Sequence, residues 1–489
     1  MKKIVSLLLM LYLLIGTVMA QNEEDVLRYS NTNLIGTARY MGLGGAYGAI
    51  GADFSSLSSN PAGIGLYRRS DFSITPVMHF GSTTSSYNGE IHDDSRSSFA
   101  LGNAGFVLNF ETKKNLSQSP VKSVQFGTGI NRLKDFNNRI YIQGVNETNS
   151  LLDAYLIYAG NMNPEFLNSF DTRLAFDTYL IDTIIGAPQP TYVNAYSYIG
   201  GFNGALQRKS IETRGSINEW VLSGGMNLND KLYFGITFGF PWIRYFQESV
   251  YSEVNQTAPL KDLDQFNYVE DLETFGNGFN IKTGVIARPI DWLRVGFAYH
   301  SPTWYSDLRD NWTTSMNAYY TNGDYFPAYS PVGEFYYDIE TPWKIMASTA
   351  IMFGSMGFIS ADYEYTDFSN SSLGPSFDYS TANDVIRNKF GPSNTFRIGT
   401  EWRSGPYQFR GGYANHGSPF KLGVNDGQTQ SFSAGLGFRS DVYYIDAALV
   451  YSYGNMDYYL YGVEDIRPNP ADNKYEVLNF ALTVGYRFD

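Results

Sequence analysis

Cysteine is absent from all 489 residues, which excludes disulfides, thiol catalysis and a lipid-modified N-terminal cysteine. Beyond the first twenty residues there is no apolar run of about 18 residues, so no helical membrane span is expected. Charged residues are scarce at 17%, and basic ones scarcer: 35 Lys and Arg against 48 Asp and Glu leave a net charge of −13. That acidity argues against nucleic acid or anionic lipid as partners. No HExxH, GxSxG or P-loop spacing occurs. Gly42 and Gly44 begin a dinucleotide-like fingerprint, but Tyr47 stands where its third glycine is needed. The four histidines, His79, His92, His300 and His416, fall at expected outer strand ends or in loops, where isolated histidines are usually polar surface. No catalytic residue, metal ligand or cofactor is expected, and the chain does not read as an enzyme.

What is present begins with an export leader over residues 1–20. Lys2 and Lys3 form its charged start, Ile4 to Val18 its short apolar core, and Val18-Met19-Ala20 its small-residue cleavage site. The mature chain then starts at Gln21, and loss of the two lysines takes the charge from −13 to −15. The stretch Ala38 to Tyr67 holds seven glycines, among them Gly42, Gly44, Gly45, Gly48 and Gly51, and only two charges, Arg39 and Asp53. Glycines at that density penalise a helix, and they permit tight turns in a confined space. Asn60-Pro61-Ala62 ends the stretch with a proline-fixed turn. Residues 21–70 therefore read as a compact plug.

From Asp71 onward an alternation of apolar and polar residues recurs to the C-terminus. It runs through 72–80, 98–110 and 122–132, then through hairpins at 220–240, 281–299, 343–365, 396–413 and 432–451. The last run places Leu478, Phe480, Leu482, Val484, Tyr486 and Phe488 on one face. These runs make fourteen strands. An exported chain with 39 Tyr, 34 Phe and 48 Gly, an even strand count and an aromatic last strand reads as an all-β protein. Its expected form is an antiparallel transmembrane β-barrel over 71–489, with the N-terminal segment as a hatch in its lumen. Lys344, Asp362, Glu364, Arg397, Glu401, Arg410 and Asp446 then face the lumen, where Asp362 and Glu364 are partners for neighbouring basic groups rather than paired catalytic acids. Long extracellular connections are expected at about 134–214 and 304–340. The first carries an apolar helical stripe from Leu151 to Ala159; the second carries eleven aromatics between Trp304 and Tyr337, either packing the barrel mouth or capturing an apolar ligand.

The plug with Asn60-Pro61-Ala62, the fourteen strands and the terminal Gly485-Tyr486-Arg487-Phe488 resemble the FadL/TodX type of outer-membrane transporter for long-chain fatty acids and aromatic hydrocarbons. Asp489 after Phe488 departs from members that end on the aromatic residue. The resemblance implies a hatch inside the barrel, passive passage of hydrophobic small molecules, and a lateral exit near the third strand. Gly127 and Gly129 are the candidate residues for that exit. It also implies a place in the outer membrane, with membrane lipid and the barrel-assembly machinery as partners; Phe480, Tyr486 and Phe488 mark the barrel-closing strand. The alternatives are an outer-membrane part of a protein secretion system (type IX) and a surface-binding barrel.

Overall fold

The computed structural model describes residues 23–112, 119–199, 201–256, 263–462 and 466–489. The export leader and the mature start at Gln21 lie outside them. Fourteen antiparallel strands follow one another around a closed wall. They are β1 (Ser70–Tyr87), β2 (Glu90–Glu111), β3 (Val121–Asp135), β4 (Ala205–Leu228), β5 (Leu232–Asn255), β6 (Leu263–Ile290) and β7 (Leu293–His300). The wall continues through β8 (Lys344–Met352), β9 (Gly357–Asp367), β10 (Pro392–Ser404), β11 (Tyr407–His416), β12 (Thr429–Arg439), β13 (Tyr443–Tyr458) and β14 (Ala471–Phe488). Each pairs with the next, and β14 returns to β1 from Ser70↔Phe488 to Ser86↔Asp472. Closure gives every strand of the wall a hydrogen-bonded neighbour on both sides, as a strand-built membrane protein requires. Among the described residues no helix is long and apolar enough to cross a membrane.

The alternation explains the wall. On β14, Leu478, Phe480, Val484 and Tyr486 are exposed, whereas Asn479, Ala481 and Thr483 are buried. Phe488 stacks on Tyr486 at 6.1 Å, and Asp489 is held by Arg69 at 2.7 Å. An outward aromatic row, Trp220–Phe240–Phe279–Trp304, links four strands through ring centroids 5.2, 5.5 and 6.4 Å apart. Such girdles mark the membrane interface.

One end of the barrel has short turns. Asn229 and Asp230 take φ of 52° and 57° between β4 and β5, a conformation their short polar side chains tolerate. At the other end β4, β5 and β6 run for 24, 24 and 28 residues, far beyond the roughly 10 that a crossing needs. The segment 134–214 is thus largely ordered structure. A strand at Asn138–Asn146 pairs with β4, and a helix spans Leu151–Ala159. Ser150 opens that helix with a capping box, and Gly160 closes it at φ 51°. Residues 304–340 form strands Trp304–Tyr320, Tyr325–Tyr329 and Gly333–Glu340, the first zipped onto the upper half of β6. Among their aromatics, Tyr305 and Tyr337 are buried packing while Tyr325, Tyr329 and Tyr336 are exposed.

Candidate functional site

Residues 34–67 lie inside the barrel toward its short-turn end, and their two halves meet opposite walls by different means. The first half is held by charge. Arg39 donates two hydrogen bonds to Glu401 on β10, at 2.8 and 3.1 Å. Glu401 also accepts from Arg410 at 2.8 Å, and Arg410 pairs with Asp446 at 2.6 Å. All four side chains are at most 5% exposed. Asp362 accepts from the backbone N–H groups of Tyr47 and Gly48, at 2.8 and 2.9 Å. The basic and acidic positions assigned to the lumen by strand parity therefore face it, and several grip the plug.

The second half is fitted by shape. Phe54 lies over Gly105 on β2 and Gly129 on β3, in the space any side chain at those glycines would take. A Cβ at Gly127 would stand 2.9 Å from Leu57 and 3.1 Å from Ile64. Pairing of β3 runs through Gly127 and Gly129 without a register shift; its shifts fall at Val121/Ser123 and Arg132/Lys134. Those two glycines thus mark where the plug approaches the wall, not where the strand bends.

Asn60 couples the halves. Fully buried, it donates from Nδ2 to the Gly48 carbonyl at 2.6 Å and accepts at Oδ1 from the Ala62 N–H at 3.1 Å. Pro61 then starts a short 3₁₀ turn that needs no N–H from it. Between the halves the chain reverses at Gly51 and Ala52, with φ of 66° and 53°. Gly44 and Gly45 also have positive φ, while Gly42 and Gly48 abut Gly435 and Ser348.

Above the plug a helix, α1 (Glu23–Ser30), closes the lumen from the long-strand end. Val26 and Tyr29 insert among Phe136, Ile217, Ile243, Tyr245 and Tyr305, and Lys134 donates to the Arg28 carbonyl at 2.8 Å. A cavity of about 630 Å³ remains between α1 and the plug. Its lining mixes apolar groups with Lys134, Lys282, Lys344, Arg397 and Glu364. His79, His300 and His416 also line it, so three of the four histidines expected as scattered surface point into one space. Among the described residues no three His, Asp or Glu side chains are grouped to hold a metal ion.

Beside this cavity the wall has a seam. Strands β2 and β3 pair from Glu111↔Ser123 to Asn103↔Asn131 and there part. Further out β2 pairs with β1, and β3 with β4. A register shift opposite Thr75/Pro76 puts Gly102 and Asn103 at the parting point. Asn103 is fully buried, and its amide nitrogen and oxygen have no hydrogen-bond partner among the described residues. Neither the seam nor α1 was visible in the sequence: α1 is a short polar-looking stretch next to the leader, and the seam is a change of partner. Arg39 carried a usable signal, as one of two charges in a thirty-residue apolar plug.

No protein-family model matches the sequence, and no curated protein matches it. Solved structures do match its fold. A Pseudomonas aeruginosa FadL homologue superposes with a TM-score of 0.54 at 11% identity, covering 94% of this chain and 99% of that one. The toluene transporter TodX of Pseudomonas putida gives 0.53 at 13% identity, over 93% and 99% of the two chains. For the toluene transporter TbuX of Ralstonia pickettii the score is 0.52 at 14% identity, over 94% and 100%. At the level of fold, the chain is a plugged fourteen-stranded barrel of the FadL/TodX type.

Proposed function

We propose that this barrel lets hydrophobic small molecules of the long-chain fatty acid or alkylbenzene kind cross the outer membrane by passive diffusion, under the control of its own N-terminal segment. One observation carries the reading: the plug and α1 bound a lumenal cavity that lies beside a seam in the wall. A ligand entering past α1 reaches the cavity. Displacement of the Phe54 half of the plug then opens the way to the seam between β2 and β3, and so to the bilayer. In this reading Gly127 and Gly129, with Gly105, form the smooth wall over which that half moves. The matched structures named as toluene transporters support the same substrate class, and nothing in the cavity calls for an energy source.

The chain has no native cysteine, so the exit can be locked cleanly. Asn103→Cys and Asn131→Cys replace directly paired residues at the foot of the seam, at a separation a disulfide can span. Cells carrying the oxidised double variant should take up radiolabelled fatty acid or alkylbenzene more slowly than wild type, and reductant should restore the rate. Wild-type uptake by the oxidised form would remove the lateral exit. If wild type shows no uptake above an empty-vector strain across a broad apolar panel, the transport reading is wrong.

A further inference from the structure

The acidity of the whole chain conceals a basic row on its outer wall. Strand register places Arg214 of β4 opposite Phe246 of β5, and Arg244 of β5 opposite Phe275 of β6. Arg309, on the strand Trp304–Tyr320, lies opposite Phe275 from the other side and opposite Tyr336 beyond it. These side chains share the outward face. Arg309 lies over the Phe275 ring at 5.8 Å, Phe246 meets Phe275 edge-on at 5.6 Å, and the intervening Tyr245 is buried in the lumen. All three arginines are exposed.

Their height is informative. Arg244 follows Phe240 of the aromatic girdle by four residues, which at about 3.3 Å per residue and a tilt near 40° is roughly 10 Å above it. That is the headgroup layer of the outer leaflet. The charges are also weakly committed within the protein. Arg214 lies 3.7 Å from Glu212 and Arg309 3.9 Å from Glu334, and among the described residues Arg244 has no carboxylate within ion-pair distance. One step further from the membrane Glu212, which pairs with Arg96 and Arg139 as well as Arg214, faces Glu248, which faces Asp271. An anionic group at the height of the row is therefore drawn to the three arginines.

We propose that Arg214, Arg244 and Arg309, interleaved with Phe246 and Phe275, form a docking site for the phosphate group of an outer-leaflet lipid. Guanidinium groups match phosphate geometry in two-pronged hydrogen bonds, and flanking aromatic rings suit the interface between headgroup and acyl chain. Basic groups beside a membrane each strengthen binding of an anionic lipid by about fivefold. The inference rests on the outer-membrane reading of the barrel but not on what the barrel carries.

The test is native mass spectrometry of the purified full chain mixed with bisphosphorylated lipid A or with its dephosphorylated form. Wild type should retain the bisphosphorylated lipid preferentially. Arg244→Ala should weaken that retention by about fivefold and the triple alanine variant far more, with retention of the dephosphorylated lipid unchanged. Triple replacement by Lys should give an intermediate result, because charge is kept and the two-pronged geometry lost. A triple variant of the exposed cations Arg387, Lys421 and Lys474 should behave as wild type. Equal retention of both lipids by wild type, or full retention by a folded triple alanine variant, overturns the site. Recovery of wild type as a soluble monomer instead overturns the membrane reading itself.

Discussion

The two halves of the lumenal plug show how one short segment can be both fixed and free. Ala38 to Gly48 is pinned to β9, β10, β11 and β13 by buried charges, through Arg39–Glu401–Arg410–Asp446 and the Asp362 carboxylate. Gly51 to Leu66 instead rests Phe54, Leu57 and Ile64 on glycines of β2, β3 and β4. Its polar ties to the wall are single hydrogen bonds without an ion pair: Asn131 to Ser58 at 2.8 Å, Ser58 to the Glu219 carboxylate at 3.2 Å and His300 to the Ser59 carbonyl at 2.8 Å. A buried ion pair loses its balance when one partner leaves, so the charged half moves only at high cost. An apolar surface over glycines can slide or lift and gains nothing directional by returning to one position. The half held by charge therefore faces β9 to β13, and the half fitted by shape faces the seam.

Deleting residues 38–67 removes both halves and should have the largest effect. The barrel should still fold, shown by different migration of boiled and unboiled protein in SDS electrophoresis, and planar-bilayer recordings should show a large steady ion conductance absent from wild type. A folded but non-conducting deletion would mean that α1 alone seals the lumen. Glu401→Ala comes next. It strands the buried Arg39 without a carboxylate and leaves Arg410 with Asp446 alone, at a cost of about 3–5 kcal/mol to the seated plug. Hydrogen exchange should accelerate at the amides of Ala38 to Gly48, and conductance should flicker. Phe54→Ala should cost about 3 kcal/mol through lost burial and the void beside Gly105 and Gly129. Its exchange should accelerate from Gly51 to Leu66 and remain at the wild-type rate from Ala38 to Gly48. Uniform acceleration in either variant would break the distinction between the halves.

How much of this was legible depended on which environment each residue answers to. Lipid imposes the same demand along a whole strand face, so Leu478 to Phe488 and the hairpin around Asn229–Lys231 could be read from period alone. So could the lumenal charges, by parity. Where β4 to β6 leave the membrane, neither face needs lipid, and the sheet over 304–340 carries aromatics without the alternation of a crossing strand. The turn at Asn60-Pro61-Ala62 was readable because proline and asparagine constrain their own neighbours. The pairing of Arg39 with Glu401 spans 362 residues of chain, and no local pattern encodes it. Gly127 and Gly129 were readable as unusual, but their cause lay in Phe54 and Leu57, on a different element.

The smallest expected effect is the one that tests how the halves communicate. Asn60 is one link, beside the bonds of Thr37 to Asp53 and Ser55: its Nδ2 binds the Gly48 carbonyl on the anchored side, and its Oδ1 holds Ala62 on the other. Asn60→Ala removes no charge and little apolar area, so it should cost only about 1–3 kcal/mol, the price of a buried carbonyl and N–H left unpaired. If the halves are separate bodies joined at this side chain, Asn60→Ala should leave exchange at Ala38 to Gly48 nearly unchanged and accelerate it from Gly51 to Leu66. A double-mutant cycle is sharper still. In a coupled plug Glu401→Ala should also loosen Gly51 to Leu66, and that long-range response should shrink once Asn60 is alanine, leaving an interaction energy of about 0.5–3 kcal/mol between the two sites. Strict additivity would show that the halves never sensed each other through Asn60, and that displacement of Phe54 toward the seam needs no signal from the anchored half.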